Sequence, residues 1–193
     1  TANRRQRQMC IRDSWWTSPK QGKIIHEWFH ILADASTRGY GAVVYRRTVD
    51  EFGNIFLTIL AARSHVVPMN ASRSSHHGSV PRLELVAAVK ALQLLHFLQA
   101  ALGRKIDNCT IWVDSECILK QIFDTSSAFP TFVSNRLSKI HKSTDISQWR
   151  YVDTASNTAD FCSRGIRAHE SDKWALFHSL SLIHISEPTR LNP

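Results

Sequence analysis

FHILADASTRGYGAVVY (Phe29–Tyr45) is the stretch on which the reading of the fold turns. It lies at the end of KIIHEWFHILADAS (Lys23–Ser36), where Phe29, Ile31 and Ala33 alternate with Trp28, His30 and Leu32. Both sets are largely apolar. A half-exposed strand alternates apolar with polar; a strand covered on both faces does not, so this one is expected to be central in its sheet. It closes on Asp34, and Arg38-Gly39 marks a turn into a second strand, YGAVVYRR (Tyr40–Arg47). Asp50–Gly53 is a second turn signal, ahead of a third strand, NIFLTILAARSHV (Asn54–Val67). Turns this short imply an antiparallel meander.

Farther along, PMNASRSSHHGSVP (Pro68–Pro81) is rich in Ser, Gly and Pro and predicts a loop. Pro81–Gly103 predicts the longest helix, with Pro in its first turn, Gly at its end, and Leu85, Ala88, Val89, Leu92 and Leu95 on the inward stripe. CTIWVDS (Cys109–Ser115) is a second two-faced apolar strand, ending in Asp114, and Ser115 is a candidate N-cap for a short helix through Phe123. Pro130 opens a helix to about Ser143, with Phe132, Val133, Leu137 and Ile140 facing inward. SQWRYVD (Ser147–Asp153) predicts a fifth strand. Asn157–Gly165 begins a last helix, with Asn157 as a plausible cap. Antiparallel strands followed by helix-linked ones predict an α/β fold with a mixed five-stranded sheet flanked by helices.

The chain has 193 residues, 43% hydrophobic and 21% charged, which suits one ordinary domain with or without tails. No apolar run reaches the roughly 18 residues of a membrane-spanning helix, and no secretion signal opens the chain, so no membrane partner is expected. Four cysteines, Cys10, Cys109, Cys117 and Cys162, form no C-x-x-C pair. Reduced intracellular thiols fit better than a disulfide framework or a structural zinc site. The formal charge of +8 invites a polyanionic partner.

The two ends alter that inference. RRQRQMCIRDS (Arg4–Ser14) and LSLIHISEPTR (Leu180–Arg190) share no periodicity with the rest. They back-translate into DNA strings whose parts AGATGTGTATAAGAGACAG and CTGTCTCTTATACACATCT are reverse complements, resembling the transposase adapters of sequencing libraries. One inverted sequence explains both ends; a basic nucleic-acid arm plus a terminal peptide is the opposing reading. Residues 1–14 and 180–193 are therefore expected to be adapter-like, non-native tails around a domain at 15–179, itself a piece of a longer reading frame. Without the two peptides the charge falls from +8 to +5, because the first carries four arginines and one aspartate, the second one arginine and one glutamate.

Four carboxylates occupy the ends of elements. Asp34 and Asp114 each follow an apolar strand, where an unpartnered carboxylate is costly to bury. Strand carboxyl ends are where ligands sit in open sheets, and two such groups side by side repel unless a cation bridges them. Glu84 shares the Ala88, Ala91, Leu95 stripe of the long helix, and Asp160 falls in the first turn of the last one. Taken singly, each has an ordinary explanation as a strand-end, turn or helix N-terminal residue. Together they form a hard oxygen donor set suited to Mg²⁺ or Mn²⁺. Two such ions about 3.5–4 Å apart stabilise the attacking and leaving oxygens of a phosphodiester displacement.

FHILADASTRGYGAVVY, RSHVVP, VPRLELVAAVKAL, IWVDSECIL, FVSNRLSKI, QWRYVDTASNTADFCSRG and the following Trp174 resemble the ribonuclease H domain of BEL/Pao-type LTR retrotransposon polyproteins. The resemblance implies a ribonuclease H-like fold with strand order 3-2-1-4-5, so that the strands bearing Asp34 and Asp114 are neighbours. It also implies a D-E-D-D site holding two Mg²⁺ ions on Asp34, Glu84, Asp114 and Asp160, with Mn²⁺ as a substitute. The implied reaction is hydrolysis of the RNA strand of an RNA/DNA hybrid. The implied partners are the reverse transcriptase and integrase regions of the same polyprotein, and the implied location is a cytoplasmic retroelement particle. Ser36, Asn135, Arg136 and Arg164 are candidate contacts to the nucleic acid, though Asn135 and Arg136 suit a solvent-facing helix equally and Arg164 could simply pair with a carboxylate.

Departures from the family pattern concern histidine. Many ribonucleases H carry one in a mobile loop before the last aspartate. Here His141 alone lies between Asp114 and Asp160, at a predicted helix end, where a surface histidine is the plainer reading. His76-His77, in a loop longer than usual for the family, lack further ligands at suitable spacing. An inactive ribonuclease H-like module is the runner-up, but such copies usually lose acidic residues. An aspartic peptidase needs D-[ST]-G, and Asp34-Ala35-Ser36 and Asp114-Ser115-Glu116 lack the glycine. A DDE-type integrase places its glutamate last, whereas the order here is D, E, D, D.

Overall fold

The structure, a computed structural model, describes residues 22–67 and 80–179. The two stretches expected to be adapter-like tails, 1–14 and 180–193, and the His76-His77 loop lie outside the described residues. The elements run β1 (Ile24–Ala35), β2 (Gly39–Asp50), β3 (Ile55–Val66), α1 (Val80–Leu102), β4 (Cys109–Val113), α2 (Glu116–Phe123), α3 (Thr131–Ser143), β5 (Trp149–Tyr151), α4 (Asp160–Arg164) and α5 (Ser171–Ser179).

The strands form one mixed sheet in the order β3-β2-β1-β4-β5. β1 pairs antiparallel with β2 and parallel with β4; β2–β3 is antiparallel and β4–β5 parallel. The meander and the order 3-2-1-4-5 are thus as expected. β1 is central, and its two-faced apolar pattern has the anticipated cause. Phe29, Ile31 and Ala33 join Leu85, Ala88, Ala91 and Leu95 of α1 in the main core, which continues into Ile118 and Ile122 of α2 and Leu137 and Ile140 of α3. Leu32 faces the other way, with Val43, Tyr45, Ala159 and Cys162. On that second face Trp112 Nε1 donates to His30 Nδ1 at 3.2 Å, and burial pushes the His30 imidazole down to about 4, so the ring is neutral at pH 7.

By length and composition alone α1 would qualify to cross a membrane, contrary to the reading of apolar runs. Its apolar residues are spent on packing instead: Leu83, Leu85, Ala87, Ala88, Ala91, Leu92, Leu94, Leu95 and Leu98 are all buried. Each leucine so placed contributes roughly 1.5–3 kcal/mol. Gly103, at φ +64, ends the helix in a backbone region that side-chain-bearing residues rarely adopt.

β2 runs to Asp50, three residues past the expected Arg47, and three boundaries nearer the end of the chain differ from expectation for local reasons. β5 is shorter than Ser147–Asp153. Asp145 and Gln148 form a reciprocal capping box around a 3₁₀ turn at Ile146–Gln148, and the Asp153 carboxylate accepts from Ala155 N to start another at Thr154–Ser156. The helix expected from Asn157 begins at Asp160, because Asn157 closes that second 3₁₀ turn. It is also not the last helix: α5 follows, its Phe177 carbonyl accepting from the Tyr45 hydroxyl at 2.9 Å. The described cysteines, Cys109, Cys117 and Cys162, are free.

α4 lies directly on β2, which requires two glycines. A Cβ added at Gly41 would sit 2.6 Å from the Arg63 carbonyl oxygen and 2.6 Å from Cys162 Cβ; one at Gly39 would sit 2.7 Å from the Ser163 carbonyl oxygen. The missing side chains let the helix that carries Asp160 and Ser163 approach the sheet beside Asp34.

Candidate active site at the carboxyl ends of β1 and β4

The parallel ladder pairs Leu32 with Trp112 and Ala33 with Val113. Asp34 is the next residue of β1 and Asp114 the first residue after β4, and neighbouring strands in a sheet lie about 4.8 Å apart. Asp34 is buried; Asp114 is half-buried. Burial pushes the Asp34 carboxyl up to about 6, a hydrogen bond from Ser163 Oγ opposes this, and the charges of Asp114 and Asp160 raise it further. Asp114 is also raised, first by burial and again by Asp160, against hydrogen bonds from Asn157 and Thr154. Asp34, Asp114 and Asp160 therefore feel one another, as negative charge gathered in one place must.

Each carboxylate is oriented by a protein donor. Ser163, one turn beyond Asp160 on α4, donates to Asp34. The Asn157 amide, which also donates to the Ala33 carbonyl oxygen at 3.1 Å, serves Asp114. Asp160 receives the Arg164 guanidinium, whose proton is held more tightly as a result. Glu84 accepts from Ser115 Oγ at 2.7 Å. Ser115 does occupy the N-cap position of α2, but its hydroxyl makes no cap hydrogen bond; it goes to the acid on α1 and so ties that helix to the end of β4.

The other candidate contacts are placed as follows. Ser36 is buried in the β1–β2 turn. Its hydroxyl lies 3.1 Å from the Ser163 carbonyl oxygen and accepts from Gly39 N at 3.1 Å, so it braces α4 and is not presented to a substrate. Asn135 is exposed on α3. Arg136 is half-buried, over the Phe132 ring, with Nη1 donating to the Phe132 carbonyl oxygen at 2.9 Å. Arg164 lies at the site, on Asp160. His141 meets the Ile122 carbonyl oxygen at 2.9 Å, at the end of α2 remote from Ser115. At 1.5 Å per residue, that end is about 10 Å from the start of the helix, so His141 ties α2 to α3 and is not among the acids.

Spacing had not marked Ser163, Thr154, Gly39 or Gly41 as parts of the site. The one signal available for Ser163 was its position three residues after Asp160, on the same helix face.

Among the described residues, no three His, Cys, Asp or Glu are gathered so as to hold a metal ion as they stand. The donor chemistry nonetheless fits a hard divalent cation. All four groups are carboxylates, three repel one another, and among the described residues the Arg164 guanidinium pairs with Asp160 and acts on Asp34 and Asp114.

The sheet order, with helices on both faces and acids at the ends of β1 and β4, defines a ribonuclease H-like fold. A family model described as "Pao retrotransposon-like RNaseH-like domain" matches residues 7–115, more than half of the chain, and the chain belongs to that family. The match holds Asp34, Glu84 and Asp114 and leaves Asp160 outside; it begins at residue 7, inside the stretch expected from the sequence to be a non-native tail. Similar solved structures include RNase H1 from Halobacterium salinarum, at 15% identity and TM-score 0.43, covering 74% of this chain and 96% of that one. The N-terminal RNase H domain of Rv2228c from Mycobacterium tuberculosis matches at 17% identity and TM-score 0.47, over 72% and 92%. LC11-RNase H1, solved with an RNA/DNA hybrid, matches at 16% identity and TM-score 0.46, over 72% and 94%. No curated protein matches the chain in sequence.

Proposed function

We propose that this domain is a metal-dependent endonuclease that hydrolyses the RNA strand of RNA/DNA hybrids. It would act during reverse transcription, beside the reverse transcriptase and integrase regions of a Pao-type polyprotein, in a cytoplasmic retroelement particle. The observation that carries this reading is the convergence of acids: Asp34 and Asp114 on adjacent parallel strands, with Asp160 close enough to raise both. An inactive module would have no need to maintain such repulsion.

Asp34, Glu84, Asp114 and Asp160 would hold two Mg²⁺ ions, which Mn²⁺ can replace. When bound, such ions supply positive charge to the attacking and leaving oxygens of a phosphodiester. The chain's own residues prepare the site. Ser163 holds one oxygen of Asp34; Asn157 and Thr154 orient Asp114; Ser115 keeps Glu84 turned toward the end of β4. Arg164, on Asp160 and half free to solvent, can move from carboxylate to phosphate at little cost, since an exposed ion pair is worth about 1 kcal/mol or less. Preference for an RNA strand requires contact with 2′-hydroxyls across the minor groove.

The test is a labelled hybrid incubated with the full chain and Mg²⁺, Mn²⁺ or EDTA. Metal-dependent cleavage of the RNA strand, lost in Asp114→Asn, is the expected result. Hybrid binding without cleavage under every metal condition would identify an inactive hybrid-binding module instead.

A further inference from the structure

On the sheet face opposite α1, one phenol joins α5 to the turn that carries the last acid. Tyr45, in the middle of β2, is fully buried and pairs in the sheet with His30 of β1 and Ile59 of β3. Its hydroxyl donates to the Phe177 carbonyl oxygen of α5 at 2.9 Å and lies 3.0 Å from Thr158 Oγ1. A phenol has one proton, so with that proton given to the carbonyl it accepts from the Thr158 hydroxyl. Burial raises the Tyr45 pKa, and the phenol keeps its proton at neutral pH.

Thr158 is buried too, between Asn157, which serves Asp114, and Asp160. Its carbonyl oxygen accepts from Phe161 N at 3.2 Å, in the turn that opens α4. The Tyr45 ring meets Phe177 edge-on with 6.5 Å between centres, and Phe177 meets Phe161, the neighbour of Asp160, at 6.0 Å. Along β2, Tyr45 is four residues from Gly41, the partner of Asp34. At about 3.3 Å per residue the two lie roughly 13 Å apart, too far for the phenol to reach a reacting group.

Packing does not require the hydroxyl. A phenylalanine would keep the edge-on ring contact and would spare the cost of burying a polar group. What the hydroxyl adds is a link from α5 to the turn that places Asn157 and Asp160. We infer that Tyr45, acting through Thr158, is a positioning residue that fixes this turn and with it the metal affinity of Asp114 and Asp160. The inference rests on the proposed function and extends it to a group remote from the acids.

The experiment measures Mg²⁺ and Mn²⁺ binding to the full chain by calorimetry. Tyr45→Phe and Thr158→Val are each expected to weaken binding by about 10-fold, the lower end of what outer partners of a metal site cost. The double variant should be no worse than either single one, since both remove the same hydrogen bond. Thr158→Ser, which keeps the hydroxyl and drops only a methyl, should bind like wild type. Hybrid cleavage lost in Tyr45→Phe should recover as Mg²⁺ is raised. In EDTA, amide hydrogen exchange at Asp160, Phe161 and Cys162 should quicken in Tyr45→Phe while β1 and β4 stay slow. The contrast between Thr158→Val and Thr158→Ser decides the matter even where Tyr45→Phe folds poorly. If wild-type protein binds neither ion, the proposed function falls and this inference with it. If it binds, but Tyr45→Phe and Thr158→Val bind as tightly, the inference alone is overturned, whatever their melting temperatures. Losses that multiply in the double variant, or exchange that quickens equally in β1 and β4, would overturn it as well, leaving the hydroxyl a structural contact only.

Discussion

The acids on strands and the acids on helices are held by different means. Asp34 and Asp114 follow directly from the β1–β4 ladder, and their separation is set by backbone hydrogen bonds on both strands. Glu84 and Asp160 are positioned by packing: Glu84 through the burial of α1 and the Ser115 hydroxyl, Asp160 through the fit of α4 on Gly39 and Gly41. A ladder cannot shift by a fraction of a residue, but a helix resting on side chains can. The strand pair should therefore be sensitive mainly to chemical change, and the helix pair to changes in packing some distance away.

The largest effect should come from the strand pair itself. Asp114→Asn is expected to lower hybrid cleavage by more than ~100-fold, beyond what the loss of an outer partner of a metal site costs, while the melting temperature stays the same or rises. A large loss of stability would mean that Asp114 is chiefly structural. Next, Gly41→Ala tests the helix pair from a distance. Its Cβ would collide with backbone of β3 and with Cys162, at a cost of about 1–3 kcal/mol. α4 should yield before the central sheet does, so cleavage should fall while hydrogen exchange in β1 and β4 stays slow. Exchange that speeds up equally in β1, β4 and α4 would break the contrast.

Burial gives the strand pair a pH signature. The Asp34 carboxyl, ordinarily near 3.8, stands at about 6 in the fold. The folded state thus prefers it protonated. Its contribution to stability is complete below about pH 4 and is lost as pH rises through 6. In EDTA, Asp34→Asn cannot ionise and should be more stable than wild type above pH 6, by up to about 3 kcal/mol, with the gap closing below pH 4. A gap that does not depend on pH would show that the acids do not strain the fold. The smallest expected effect is that of Ser115→Ala, which releases Glu84 at about 1 kcal/mol of stability. It should raise the Mg²⁺ concentration for half-maximal cleavage by ~10-fold, with cleavage at saturating Mg²⁺ nearly unchanged.

Much of the fold was legible because its signals are local. Two-faced apolar strands announced β1 and β4, and short Gly- and Asp-containing turns announced the meander. Asp34 and Asp114 stood out because a carboxylate after an apolar strand demands a partner. α5 was not read, since its apolar residues form no regular stripe, and β5 was read too long because the Asp145 and Asp153 caps are side-chain events that strand periodicity does not register. Ser115 was placed correctly as an N-cap position, but its hydrogen bond crosses to a residue 31 positions earlier.

By itself, then, the sequence determined the antiparallel meander, the central position of β1, the long core helix, and the presence of acids at four element ends. The tertiary structure decided which groups those acids meet. Ser163 reaches Asp34 across 129 positions, through a glycine-permitted contact; His141 goes to the far end of α2, and Arg82 and Arg136 meet over one ring. Periodicity records which face of an element is buried, because burial acts on every turn or every second residue. A single hydrogen bond or stacked pair between distant segments leaves no periodic trace, and only the packed chain contains it.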